Sequence, residues 1–174
     1  MKSLTIAIDP SSTASGLAIF RGKRLVSVDL VRGKTTKGTN PPDRAVKIAR
    51  DVFHLAKQRI EQIEKNPNRV RLSILIEVPG GQGRQHSRGL VTMGMAVGAT
   101  CSLFSEWTED FNDASFEMIL ASEWTRIGGG RPISKDARAE LIVEKFRSWD
   151  FSNDRGHDMK DAVGLGAWKL GLLK

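Results

Sequence analysis

Leu4-Thr5-Ile6-Ala7-Ile8-Asp9-Pro10-Ser11-Ser12-Thr13-Ala14-Ser15-Gly16-Leu17-Ala18-Ile19-Phe20 is the stretch that decides the fold. Leu4 to Ile8 is short, apolar and rich in β-branched residues, and reads as a buried strand that ends in an acid, Asp9. Pro10 to Thr13 carry turn chemistry, and Gly16 to Phe20 reads as the strand that returns. Arg21-Gly22-Lys23 then reverses the chain into a third strand, Leu25 to Val31, so the N-terminal part predicts an antiparallel meander.

Beyond the meander the periodicity changes. Gly33 to Asn40 is a polar loop, and Pro41-Pro42-Asp43 opens a helix running to about Lys65. Val46, Ala49, Val52, Phe53, Ala56, Ile60 and Ile63 share one face of it, and Asn66-Pro67-Asn68 stops it. Leu72 to Val78 is a nearly continuous apolar run of the kind found in the buried middle of a mixed sheet. After the glycine-rich loop Pro79 to Gly83, a helix from about His86 to Glu106 carries Gly89, Gly94, Ala96, Gly98 and Ala99, small residues that permit close packing against a partner element. Phe116 to Leu120 reads as a fifth strand. Gly128-Gly129-Gly130 makes a loop, Ser134 caps a helix from Lys135 to about Trp149, and a last helix runs from about His157 to Leu172. The order β-β-β-α-β-α-β-α-α, without internal repeats, predicts one α/β domain over residues 1–174.

Lys and Arg total 27 against 20 Asp and Glu, a net charge of +7, with the excess concentrated between Arg21 and Arg50 and around Arg126 to Arg138. Two readings are open: a polyanionic partner held through phosphate contacts, or a solvated basic face. A membrane surface fits poorly, because no basic stretch carries an aromatic-rich apolar face. The single cysteine, Cys101, excludes a disulfide within the chain and a zinc site built from cysteines. With no signal-peptide pattern and no uncharged stretch of spanning length, the expected setting is a reducing cytoplasm.

Asp9 is either a turn-initiating acid, since Asp-Pro-Ser is common turn chemistry, or an acid lining a cleft or exposed at the sheet edge. Glu77 is harder to explain as structure, because it places a charge inside the core-like run Ser73 to Val78, where desolvation is costly unless the charge is paired or metal-bound. Asp158 and Asp161 stand three residues apart at the start of the last helix, on one face, where the helix dipole favours negative charge. Each alone could be an ordinary N-terminal helix acid. Because that helix must pack on the sheet, however, its acid face can meet the strand ends. Clustered hard oxygen donors select Mg²⁺ or Mn²⁺ and support two-metal chemistry, with ions about 3.5–4 Å apart, for which a basic protein offers a phosphodiester. The three histidines, His54, His86 and His157, form no Ser-His-Asp or Cys-His arrangement of comparable support.

Ala7-Ile8-Asp9-Pro10-Ser11-Ser12-Thr13-Ala14-Ser15-Gly16-Leu17-Ala18, Ile74-Leu75-Ile76-Glu77 and His157-Asp158-Met159-Lys160-Asp161-Ala162 together resemble the RuvC-type Holliday junction resolvases, in order and over the whole chain. The resemblance implies a ribonuclease H-like fold: a five-stranded mixed sheet, three antiparallel strands then two parallel, flanked by helices. It also implies a homodimer that cuts four-way DNA junctions with two Mg²⁺ or Mn²⁺ ions per active site. On it, Asp9 bridges the ions, Glu77 holds the one nearer the leaving group and Asp161 the one that activates water. Asp158 matches a position that holds Asp or His in the family. The small-residue helix resembles the family's dimer helix, with tight packing within the chain as the other reading.

Two departures stand out. The first loop reads Asp-Pro-Ser where the family usually has Asp-Pro-Gly. The segment Val78 to Arg84 lacks the aromatic residue with which cellular members wedge the junction's bases, consistent with a phage-type enzyme of looser selectivity. Arg84, His86 and Arg88, and Arg131, Ser134 and Lys135, are candidates for DNA contact, or else solvated surface groups. Two other functions remain open: a nuclease of RNA or of flap and nicked substrates, and a non-catalytic module that binds branched DNA. Actin-like ATPases share the opening strand and turn but require a much longer chain.

Overall fold

The structure, a computed structural model, describes residues 2–33, 40–66, 69–79, 87–126 and 133–173, the side chains of residues 87 and 88 excepted. The loops expected at Gly33 to Asn40, Asn66 to Asn68 and Pro79 to Gly83 fall partly outside these residues, and the triple glycine falls wholly outside them.

The meander forms as expected from β1 (Lys2–Asp9), β2 (Ala14–Arg21) and β3 (Arg24–Arg32), with Gly22 taking the positive φ of 57° that its tight turn requires. Helix α1 (Pro41–Ile63) begins where its prolines place it, under an Asn40 side chain that accepts from the Asp43 amide. β4 (Val70–Val78) and β5 (Asp113–Leu120) flank α2 (Ser87–Thr108) in sequence and lie parallel to each other. The five strands form one sheet in the order β3-β2-β1-β4-β5, antiparallel between β1, β2 and β3 and parallel between β1, β4 and β5. This is the mixed sheet of the ribonuclease H-like fold. β1 is its middle strand, so Asp9 lies at the centre of one end of the sheet, not at its edge.

Three helices follow β5, where two were expected: a single turn, α3 (Ala121–Trp124), then α4 (Lys135–Lys145) and α5 (Asp158–Lys169). The expected end of α4 at Trp149 is an overreach of about one turn. Phe146 and Trp149 continue the apolar spacing of Ala139 and Ile142, but Phe146 leaves helical geometry, and both pack on the apolar cluster beneath the β2–β3 hairpin. Their periodicity reports burial, not helix.

Side chains alternate between the sheet's two faces. Leu4, Ile6 and Ile8, with Ile74 and Ile76, face α1 and α2 and join Val52, Phe104 and Trp107 in the largest apolar cluster. Ala7 and Leu75 face the other way, toward α5 and Trp124. The same alternation puts Asp9 and Glu77 on the α5 face, and α5 is buried from Met159 to Ala167 as it crosses that face.

Candidate active site

β1 and β4 run parallel with Ile8 opposite Ile76, so Asp9 and Glu77 leave the sheet side by side. Asp9 also pairs across β1 and β2 with Gly16, where a Cβ would stand 1.9 Å from the Asp158 carbonyl oxygen. Only a glycine there lets the start of α5 settle onto β2, beside the strand that carries Asp9. The helix start is held from behind by Asp154, which is buried and accepts from the amides of Met159 and Lys160 at 3.1 and 2.9 Å. Asp154 therefore satisfies amides of the α5 N-terminus, the service that the alternative reading of Asp158 and Asp161 as ordinary helix acids would have given them. Its ion pair with Lys160 and the left-handed backbone of His157, φ 66°, complete this turn.

The four carboxylates act on one another. Asp9 is held well above the usual carboxylate range, first by burial and then by the charges of Glu77, Asp161 and Asp158, with Lys135 opposing. Burial and the Asp161 charge push Glu77 up to about 7, against the lowering influence of a Trp124 hydrogen bond, Arg138 and Lys135. Asp158 is raised by burial and by the charges of Asp154 and Asp161, while Lys135 pulls it down. Burial works to lower the Lys135 ammonium, but the attraction and hydrogen bond of Asp161, with the charges of Asp9 and Asp158, leave it raised. Asp161 is itself buried and sits 3.0 Å from Lys135 Nζ and 3.5 Å from Arg138 Nη2.

Four hard-oxygen donors, mutually repelling and only partly neutralised by two side-chain cations, suit a divalent metal. Lys135 Nζ stands where a positive charge is needed. Among the described residues no group of three His, Cys, Asp or Glu side chains is arranged, as it stands, to hold a metal ion. Asp161 is engaged by Lys135 and Arg138, and Glu77 Oε2 accepts from Trp124 Nε1 at 3.0 Å. The donor set thus fits the metal chemically, in an arrangement closed on its own cations.

Of the candidates for DNA contact, Arg84, His86 and Arg131 lie outside the described residues, as does the Arg88 side chain. Ser134 caps α4, its hydroxyl accepting from the Ala137 amide at 3.2 Å. Lys135, a half-exposed residue, turns inward to the acids. Trp124 and Arg138 were not singled out in the sequence. Trp124 shows no signal beyond an element end, whereas Arg138, three residues after Lys135 and one turn into a capped helix, shares its face. Within α2, a Cβ on Gly89, Gly94 or Gly98 would meet nothing within 4 Å among the described residues, so these glycines serve no close packing against those residues.

A mixed sheet with one acid at the end of β1, one near the end of β4 and a pair on the helix crossing that face has the architecture of the ribonuclease H-like fold. Within it, the chain is similar to T. thermophilus RuvC in complex with Holliday junction substrate, with a TM-score of 0.65 and 16% identity over 98% of both chains. It is similar also to another Thermus thermophilus RuvC structure, with a TM-score of 0.62, 15% identity and 98% coverage of both. A third neighbour is the yeast mitochondrial Holliday junction resolvase Ydc2, with a TM-score of 0.55 and 11% identity over 95% of this chain and 77% of that one. No family model matches the chain, and no curated protein matches it in sequence. At these identities the likeness is one of fold: the chain has the fold of the RuvC-type junction resolvases. Among the described residues no helix is long and apolar enough to cross a membrane.

Proposed function

We propose that the protein is a metal-dependent endonuclease that cuts four-way and other branched DNA junctions. The observation that carries this reading is the meeting of Asp9, Glu77, Asp158 and Asp161 at one end of the sheet, where burial and neighbouring acids raise Asp9, Glu77 and Asp158, in a fold shared with RuvC. Asp9, Glu77 and Asp161 would hold two Mg²⁺ or Mn²⁺ ions, with Asp158 as a further ligand or a partner behind them. Bound there, the ions supply activation of water and charge stabilisation at the leaving 3′ oxygen. The chain's own part is to keep these carboxylates converged, and to steer the phosphate backbone with its basic surface.

Lys135, at the mouth of the acid cluster, is the best placed of the described DNA-contact candidates, with Ser134 beside it at the start of α4. Arg84, His86, Arg88 and Arg131 are assigned to DNA contact on their place in the sequence. The homodimer would form through α2, where Leu90, Val91 and Met95 are exposed on the side that also carries Gly94 and Gly98.

Cleavage of a mobile four-way junction, compared with a flap, a nicked duplex and structured RNA in Mg²⁺ and Mn²⁺, tests the reading. Preferential cutting of the junction is expected. Preference for RNA or flaps moves the substrate within the same chemistry. Junction binding in EDTA with no cutting on adding either metal makes the protein a binding module instead.

A further inference from the structure

Glu77 and Asp161 lie on different elements and are joined by side chains that the carboxylate chemistry does not use. Trp124, on α3, is fully buried and donates from Nε1 to Glu77 Oε2 at 3.0 Å. The Arg138 guanidinium lies 5.2 Å from the centre of the Trp124 ring, a cation–π distance, and is nearly buried itself. Arg138 donates from Nη1 to the Ile133 carbonyl at 3.1 Å and reaches Asp161 Oδ1 with Nη2 at 3.5 Å. Its Nε is buried with no hydrogen-bond partner among the described residues, so the guanidinium gives up a bond to hold this pose. Opposite, a Cβ on Gly164 would lie 2.7 Å from the Trp124 ring, so α5 is shaped to let the indole in. The chain Glu77–Trp124–Arg138–Asp161 thus closes on itself behind the acids.

We propose that Trp124 and Arg138 are positioning residues: the indole N–H orients Glu77, the guanidinium stacked on the same ring orients Asp161, and the pair fixes the distance between the two carboxylates that must share a metal site. This rests on the reading of Glu77 and Asp161 as metal ligands. Lys135 belongs to the other kind of cation at this site. It touches Asp161 from a half-exposed position, where it can move aside, whereas Arg138 is held by the ring, a carbonyl and burial. Groups that orient metal ligands in this way typically govern metal affinity as well as rate, because an unrestrained carboxylate must be ordered when the ion binds.

The test is Mn²⁺ binding to the full-length, DNA-free protein, followed by the electron paramagnetic resonance signal of free Mn²⁺, with junction cleavage measured in parallel. Trp124→Phe keeps an aromatic ring and removes the donor. It is expected to weaken Mn²⁺ binding about tenfold and to lower kcat with little change in KM for the junction. Arg138→Lys keeps the charge beside Asp161 but loses the flat stacking face, and is expected to shift both in the same direction. Ile119→Val trims the same apolar cluster, opposite Glu77 in the sheet, but leaves the hydrogen bonds of Trp124 and Arg138 in place, and is expected to bind Mn²⁺ like the wild type. Wild-type Mn²⁺ affinity in folded Trp124→Phe and Arg138→Lys overturns the proposal, as does an equal loss in Ile119→Val. If Trp124→Phe does not fold, Arg138→Lys decides. Failure of the wild type to bind Mn²⁺ overturns the metal site itself, and the proposal with it.

Discussion

The two faces of the sheet are built by opposite rules. Toward α1 and α2 it presents Leu4, Ile6, Ile8, Leu17, Ile19, Ile74 and Ile76, met by a cluster of edge-on aromatics, Phe53, Phe104, Trp107 and Phe111. Toward α5 it presents Ala7 and Ala18 beside Phe20 and Leu75, met by Ala162, Gly166 and Ala167, so that helix and sheet approach closely. Large side chains on the first face fill volume and stabilise. Small ones on the second bring two helical carboxylates up to two strand-borne ones, at an electrostatic cost. The bulkiest packing and the site are thus weighted to opposite sides of the same five strands.

The largest effect is expected on the aromatic face. Phe104→Ala removes a fully buried ring and should cost about 3–5 kcal/mol in urea denaturation, while the protein that remains folded keeps wild-type Mn²⁺ affinity. Gly16→Ala strikes the opposite face. Its Cβ would meet backbone atoms of Asp158 and Met159, so it should cost about 1–3 kcal/mol or more and abolish junction cleavage by pushing the start of α5 off β2. A Gly16→Ala variant with full cleavage activity would break the comparison at its sharpest point.

A smaller effect concerns pH. Glu77 holds its proton up to about 7 in the folded chain, whereas the unfolded chain releases it near the ordinary glutamate value. The native state therefore binds more protons in that interval. The Glu77 contribution to metal-free stability should fall as pH rises from the ordinary glutamate range to about 7, then level off. A metal binds the ionised form, so Mn²⁺ should raise Tm by a few degrees more at roughly pH 8 than at roughly pH 5, read by thermal denaturation. The smallest effect is expected at Lys135. Lys135→Met removes a half-exposed cation that competes for Asp161, and should tighten Mn²⁺ binding by about two- to fivefold while slowing junction cleavage.

The face that stabilises was the easier to read. Strands announced themselves as apolar runs, whereas the register that puts Asp9 and Glu77 on one side, with Ala7 and Leu75, came from the pairing of β1 with β4. The interior of the site was less legible. Trp124 belongs to a four-residue helix with no periodicity to betray it, and its partner Glu77 is remote in sequence. Asp154 precedes α5 by a whole turn, so its capping of Met159 and Lys160 could not be told from loop polarity. Phe146 and Trp149 imitated a helix because docking under a hairpin repeats the same spacing of buried residues.

The central claim is that carboxylates gathered on the α5 face cut branched DNA with bound metal. Its most direct test is the rate of four-way junction cleavage in Mn²⁺ by Asp9→Asn, beside Glu77→Gln and Asp161→Asn, with junction binding in Ca²⁺ as the control. All three should lose cleavage by about 10³-fold or more and still bind the junction. Full cleavage by any one of them would contradict the account.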